Sequence, residues 1–164
     1  MGKQKQALDY EILIDGPISM YFKRTHLSND IEELENLGYP IIELNTNDWD
    51  KRNFHKRLKV GFSFPDYYGD NFNAFEDCLN DLFLRHKKGI VIVFRNFSEF
   101  VEIDRFSSEV ILDVISNLSR RCLLDQKRVI CLVHSNDSDL AFEKLGGIRP
   151  VWNRNEWFNE DRRH

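Results

Sequence analysis

Hydrophobic and polar positions alternate in short blocks along the chain, and each block predicts an element. Two uninterrupted apolar runs, GIVIVF at 89–94 and RVICLV at 128–133, predict strands covered on both faces. YEILI at 10–14 and PIIEL at 40–44 predict two shorter strands, the first ended by Asp15-Gly16-Pro17. IRPVW near the C-terminus supplies a last strand candidate. Between them lie segments of helical period. IEELENL, capped by Ser28 or Asn29 and stopped at Gly38, is one. Residues 50–60, with Phe54, Leu58 and Val60 apolar, predict a basic amphipathic helix closed by Gly61. Residues 107–119 put Val110, Ile111, Val114, Ile115 and Leu118 on one face, with Ser107 or Ser108 as cap. SDLAFEKL at 138–145 predicts a short helix ended by Gly146-Gly147. Buried strands alternating with helices imply an α/β domain with a mainly parallel sheet.

The segment between the basic helix and the first long strand differs from the rest. Pro65 and Gly69 place a turn before a helix that starts at Asp70 or Asn71, either of which can cap it. Phe72, Phe75, Leu79 and Leu82, with Cys78 beside them, recur at spacings of three and four and predict the buried face. Asn73, Asp77 and Asp81 recur at spacings of four on the opposite face, with Glu76 and Asn80 alongside.

Composition changes the picture at this point. The 164-residue chain is 41% hydrophobic and 30% charged, which describes a folded globular protein of one domain, residues 1–164. Its net charge is −4. Residues 65–84 hold five carboxylates (Asp66, Asp70, Glu76, Asp77, Asp81) and no Lys or Arg; the remaining 22 acidic residues face 23 basic ones. The net charge is thus one acidic segment on a neutral body, and it favours a cationic partner. Within 65–84 no Lys or Arg is present to pair with these acids, and Asp81 sits toward the negative end of the helix dipole. Such a face gives up a little stability unless a partner's positive charge compensates it. The plainer alternative is a solvated acidic face. Tyr67-Tyr68 suits a protein-binding surface if one ring packs inward and the other is displayed.

Other chemistry is sparse. Cys78, Cys122 and Cys131 have neither disulfide-framework nor zinc-site spacing, so buried free thiols are expected, with no metal and no cofactor. No Gly-rich phosphate loop follows a strand. The basic cluster Lys51, Arg52, His55, Lys56, Arg57, Lys59 balances the acidic helix, and direct nucleic-acid binding is not expected. No apolar run approaches the roughly 20 residues of a membrane span, and the N-terminus lacks a leader-like apolar core, so a cytoplasmic location is expected. An enzyme reading would require Asp66, Asp70, Glu76 or Asp77 to converge with His134 on a pocket.

The run Pro65-Asp66-Tyr67-Tyr68-Gly69-Asp70-Asn71, followed by Ala74, Asp77, Cys78 and Leu79, resembles the signature of the barstar family, intracellular inhibitors of secreted ribonucleases. A weaker similarity extends over 41–135: VIVFRNF at 91–97 resembles the family's middle strand and RVICLVHS its last. Residues 1–40 and 136–164 have no counterpart in the minimal member. The resemblance implies a parallel three-stranded core sheet packed by helices. The added segments are expected to extend that sheet at its edges, with Trp152 and Trp157 as core or edge cover in preference to facing a partner. The resemblance also implies a non-enzymatic role, in which the acidic helix plugs the active site of a cognate bacterial ribonuclease toxin; the alternative within the same fold is an interaction module with a non-nuclease partner. The matching contact positions are Tyr67, Gly69, Asn71 and Asp77, with Asp77 the carboxylate that enters the phosphate site; Asn73, Glu76 and Asp81 complete the surface. There are departures: Asn73 replaces a second aspartate, Glu76 and Leu82 replace two tryptophans, and Asn117 stands where a later-helix glutamate makes contact. The anchor survives while its surround changes, which points to a different cognate toxin.

Overall fold

A computed structural model describes residues 6–143 and 145–157 of the chain, all but the side chain of Trp157. The sheet has five strands, all parallel, in the order β2-β3-β4-β1-β5. They are β1 (Ile18–Tyr21), β2 (Ile41–Asn45), β3 (Gly89–Arg95), β4 (Arg128–His134) and β5 (Val151–Trp152). The α/β class and the parallel sheet hold, but three strands become five. The three expected strands form one half of the sheet, and the two added ones extend it at a single edge. A two-residue strand there leaves little open edge for unwanted pairing.

Alternate residues of the central strands feed two cores. Ile90, Ile92 and Phe94 of β3 and Val129, Cys131 and Val133 of β4 meet one layer of helices. That layer is α3 (Phe54–Phe62), α4 (Phe72–Arg85), α5 (Phe97–Ile103) and α6 (Arg105–Leu124). Val91, Val93, Ile130 and Leu132 meet a second layer, α1 (Leu8–Ile14) and α2 (Arg24–Asn36). This period-two division between two covered faces is why both strands read as unbroken apolar runs. The second layer is made by the N-terminal addition.

Several predicted elements change. YEILI is not a strand: it is the body of α1, whose Ile12 is buried with Leu8 and Leu13 against the second core. Residues four apart are on one helix face, and the buried Asp9 carboxylate ties that helix to Tyr39 Oη at 2.6 Å and Arg128 Nη1 at 2.7 Å. The strand is the next segment, Ile18–Tyr21, after the Gly16-Pro17 turn. α2 begins at Arg24, upstream of Ser28 and Asn29, which are exposed within it. Its start is served from the far end of the chain, where Glu156 Oε1 accepts from the backbone N–H of Phe22 (3.1 Å) and Lys23 (2.6 Å). Glu156 belongs to the short α7 (Arg154–Trp157) and is buried. Asn153 Nδ2 adds bonds to Tyr21 Oη and Asp30 Oδ2. The two terminal additions therefore hold each other.

Gly61 does not close α3: it lies inside the helix, where a Cβ would sit 2.2 Å from Leu44 Cδ2, and Ser63 (φ 55°) ends it. α6 is capped by Asp104, whose carboxylate accepts from the Ser107 N–H, and not by Ser107 or Ser108. The predicted helix at 138–145 is absent among the described residues, since Leu140 and Phe142 both enter the first core from irregular chain. Gly146-Gly147 (φ 60° and 82°) form a tight turn that closes a bridge between Leu145 and Ile148, in place of a helix cap. Cys78, Cys122 and Cys131 are buried free thiols. Trp152 is half-buried in the edge strand β5, while the side chain of Trp157 lies outside the described residues.

Candidate partner-binding face

The loop 65–71 and α4 project the acidic segment from the first helical layer. Phe75, Cys78, Leu79, Leu82 and Phe83 bury the inner face of α4. Asn71 is the cap: its Oδ1 accepts from Ala74 N–H at 2.8 Å, and its Nδ2 donates to Gly69 O at 3.0 Å. Both ends of this carboxamide are thus used within the fold. Removing it in Asn71→Ala should cost about 1 kcal/mol of stability, while Asn71→Asp, which retains the acceptor, should cost less; urea unfolding of both variants checks this.

The tyrosine pair divides between core and surface. Tyr68 is buried and its Oη lies 2.7 Å from His55 Nδ1 of α3, whereas Tyr67 is 76% exposed. Burial, reinforced by the Asp70 charge, pushes the Tyr68 phenol upward. Burial also pulls the His55 imidazole below its ordinary 6.5, against an opposing pull from Asp70. The bond is therefore one between neutral groups, and it pins the loop to α3.

The same burial acts on His134, aided by the charge of Arg24. A histidine whose folded-state pKa is depressed contributes its stability above 6.5 and loses it as pH falls below that value. The urea midpoint should therefore decline from about pH 7 to about pH 5, and His55→Gln should remove part of that slope.

The outward face of α4 carries Asn73, Asp77 and Asp81, all exposed. Among the described residues, Asp77 and Asp81 have no ion-pair or hydrogen-bond partner. Asp66 is fully exposed and only 3.5 Å from Lys59 Nζ. Asp70 is exposed in the left-handed region (φ 50°) just before the cap, and Gly69 is exposed beside it. Glu76 differs from its neighbours. Its Oε1 accepts from Arg121 Nη2 of α6 at 2.9 Å, so this carboxylate is already paired. Asn117 is exposed on the same stretch of α6 and donates to Asp113. Spacing along α4 alone shows no cation for Glu76, because the one that reaches it stands 45 residues later. The Arg120-Arg121 pair at the far end of the predicted 107–119 helix is the signal that could have found it.

The basic cluster is partly spent inside the fold. Arg57 pairs with Asp48, Lys59 approaches Asp66, and His55 holds Tyr68. His134 is buried at the end of β4, where its Nδ1 accepts from the Asn96 N–H at 3.2 Å. No described hydrogen bond or ion pair joins it to Asp66, Asp70, Glu76 or Asp77. Among the described residues, no group of three His, Cys, Asp or Glu side chains is placed to hold a metal ion. No helix of the described chain is long and apolar enough to cross a membrane.

Sheet, helical layers and outward face together define an α/β protein whose distinguishing surface is an acidic helix held rigidly from below. A family model described as Barstar (barnase inhibitor) matches residues 39–135, from the approach to β2 to the end of β4. The match covers more than half of the chain, and the protein belongs to the barstar family. No individual curated protein matches the sequence.

Proposed function

We propose that this protein inhibits a ribonuclease of the barnase type by laying α4 and the preceding loop over its active site. In a bacterial cytoplasm it acts as an immunity protein or antitoxin against a cognate toxin. A ribonuclease cleft presents arginine, lysine and histidine side chains to hold phosphates. Carboxylates on a stiff helix can take those phosphate positions through charge-assisted hydrogen bonds. The family's role as barnase inhibitor agrees with this chemistry.

The observation that carries the reading is Asp77: exposed and without an internal cation, on a helix whose opposite face is fully packed. Asn73 and Asp81, one turn to either side, and Tyr67, Gly69, Asn71 and Glu76 form the surrounding contact surface. Within it, Asn71 acts chiefly by fixing the start of α4. Because the ligand is a protein and occlusion is the mechanism, no cofactor or metal takes part.

RNA cleavage by purified barnase-type ribonucleases, titrated with this protein, tests the reading. Inhibition that saturates at one equivalent supports it. Uninhibited cleavage across the panel, with no complex on size-exclusion chromatography, refutes it. Added salt should slow association, because steering by exposed charge is screened over a Debye length of about 8 Å at physiological ionic strength.

A further inference from the structure

The acidic stripe of α4 does not stand on an acidic surface. Beside it, α4 and α6 enclose an open groove of about 560 Å³ lined by Glu76, Asn117, Arg120, Arg121 and Leu124. Asn117, Arg120, Arg121 and Leu124 follow one another at spacings of three, one and three, so they share a side of α6. Two arginines give the groove its cationic character, and Leu124 at its end, 85% exposed, adds apolar surface. At the loop before α4, Lys56 and Lys59 of α3 share a second open groove with Asp66 and Asp70. Cations therefore border the acidic segment both at Glu76 of α4 and at Asp66 and Asp70 of the preceding loop.

The two arginines are held in place. Arg121 is fixed by Glu76, and Arg120 by a bond from Nη1 to the Gly146 carbonyl in the tight turn after β4. Each keeps guanidinium N–H donors that no described acceptor uses, and the Arg121 side chain is 61% exposed. A guanidinium already oriented by one bond loses little freedom when it makes another. A uniformly basic lip on the partner would meet these arginines as like charges, and such juxtaposition opposes binding.

We propose that the α4–α6 groove is a specificity contact of the inhibitory face and receives a carboxylate-bearing segment on the rim of the ribonuclease, held by Arg120 and Arg121. This inference rests on the reading of α4 as the inhibitory element and narrows its partner: a cationic pocket for Asp77 walled, toward α6, by acid. An apolar side chain beside that acid would cover Leu124. Glu76 then serves to orient Arg121, and it does not present free charge.

The sign of one substitution separates this from a simpler role. If Arg121 merely neutralises Glu76, Arg121→Gln frees a carboxylate and tightens binding to a cationic cleft. If Arg121 contacts an acidic rim, Arg121→Gln loosens it. The probe is the member of a purified barnase-type panel that the wild-type protein inhibits best, with affinities measured by calorimetry. Arg121→Gln, Arg120→Gln and the double variant should weaken binding, the double variant by about tenfold or more. Arg121→Lys, which keeps the charge and loses the fork, should fall between. Glu76→Gln should change affinity less than Arg121→Gln. Unfolding midpoints are read in parallel, and Arg121→Gln, which leaves the Gly146 bond intact, is the decisive variant if the double one unfolds early.

Unchanged or tighter binding by Arg121→Gln, while Asp77→Ala still weakens the complex, overturns the inference and leaves the inhibitor reading standing. Indifference to Asp77→Ala, or no inhibition by the wild type across the panel, removes that reading and the inference with it.

Discussion

Asp77→Ala should leave the protein as stable as before and weaken the proposed ribonuclease complex by at least about 2 kcal/mol, roughly thirtyfold. The two halves of this expectation have separate causes. In the free protein the carboxylate is exposed and has no internal partner, so its removal breaks nothing within the fold. Loss of one of the repelling charges at Asp77 and Asp81, four residues apart, even relieves a few tenths of a kcal/mol.

In the complex the same carboxylate would be enclosed by the cations of the cleft. Its removal then leaves those cations desolvated and unpaired, and this penalty makes truncation of a buried charged contact costly. Most of the loss should appear as faster dissociation, since steering depends on the whole stripe and only the enclosed pair depends on Asp77. Asp77→Asn, which keeps the shape and the hydrogen-bonding capacity, should recover only part of the affinity. Association and dissociation rates measured by surface plasmon resonance decide the matter, and an unchanged dissociation constant would remove Asp77 from the interface.

The second large effect is on stability and has no binding component. Gly89 opens β3 at φ 127°, a conformation closed to residues with a side chain, and a Cβ there would lie 1.8 Å from the backbone oxygen of Arg128. Gly89 also faces Arg128 in the register between β3 and β4. The clash is with backbone where the two strands begin, so no side chain can swing aside. Gly89→Ala must either strain φ or shift the strand pair, and the two terms together come to about 3 kcal/mol or more. A lowered urea midpoint, or loss of soluble protein on expression, is the expected result. A midpoint within experimental error of wild type would show that the start of β3 can be rebuilt, and that the register is set further along the strand.

Much of the architecture is legible in the sequence. The apolar runs at 89–94 and 128–133 read as strands because both of their faces are covered, and α4 is legible from its cap, its period and its breaker residues. The signature from Pro65 to Leu79 points to the family that the match over 39–135 establishes. What misleads is brevity. YEILI offers too few positions to separate period two from period 3.6, and its helix depends on Leu8, outside the apolar run. SDLAFEKL has helical composition, yet Leu140 and Phe142, two apart, are both drawn into the core.

By itself, then, the sequence determined that α4 is a helix with one greasy and one acidic face, and that Asp77 finds no cation within a turn of it on that helix. Helix period and local pairing are properties of residues within a turn or two of each other, and those are written consecutively. Tertiary structure alone decided that Glu76 is paired, that α2 begins under the carboxylate of Glu156, and that the two additions widen the sheet at the same edge. Each of these joins groups dozens of residues apart, and only the packing of helices on a closed sheet order brings such groups within bonding distance.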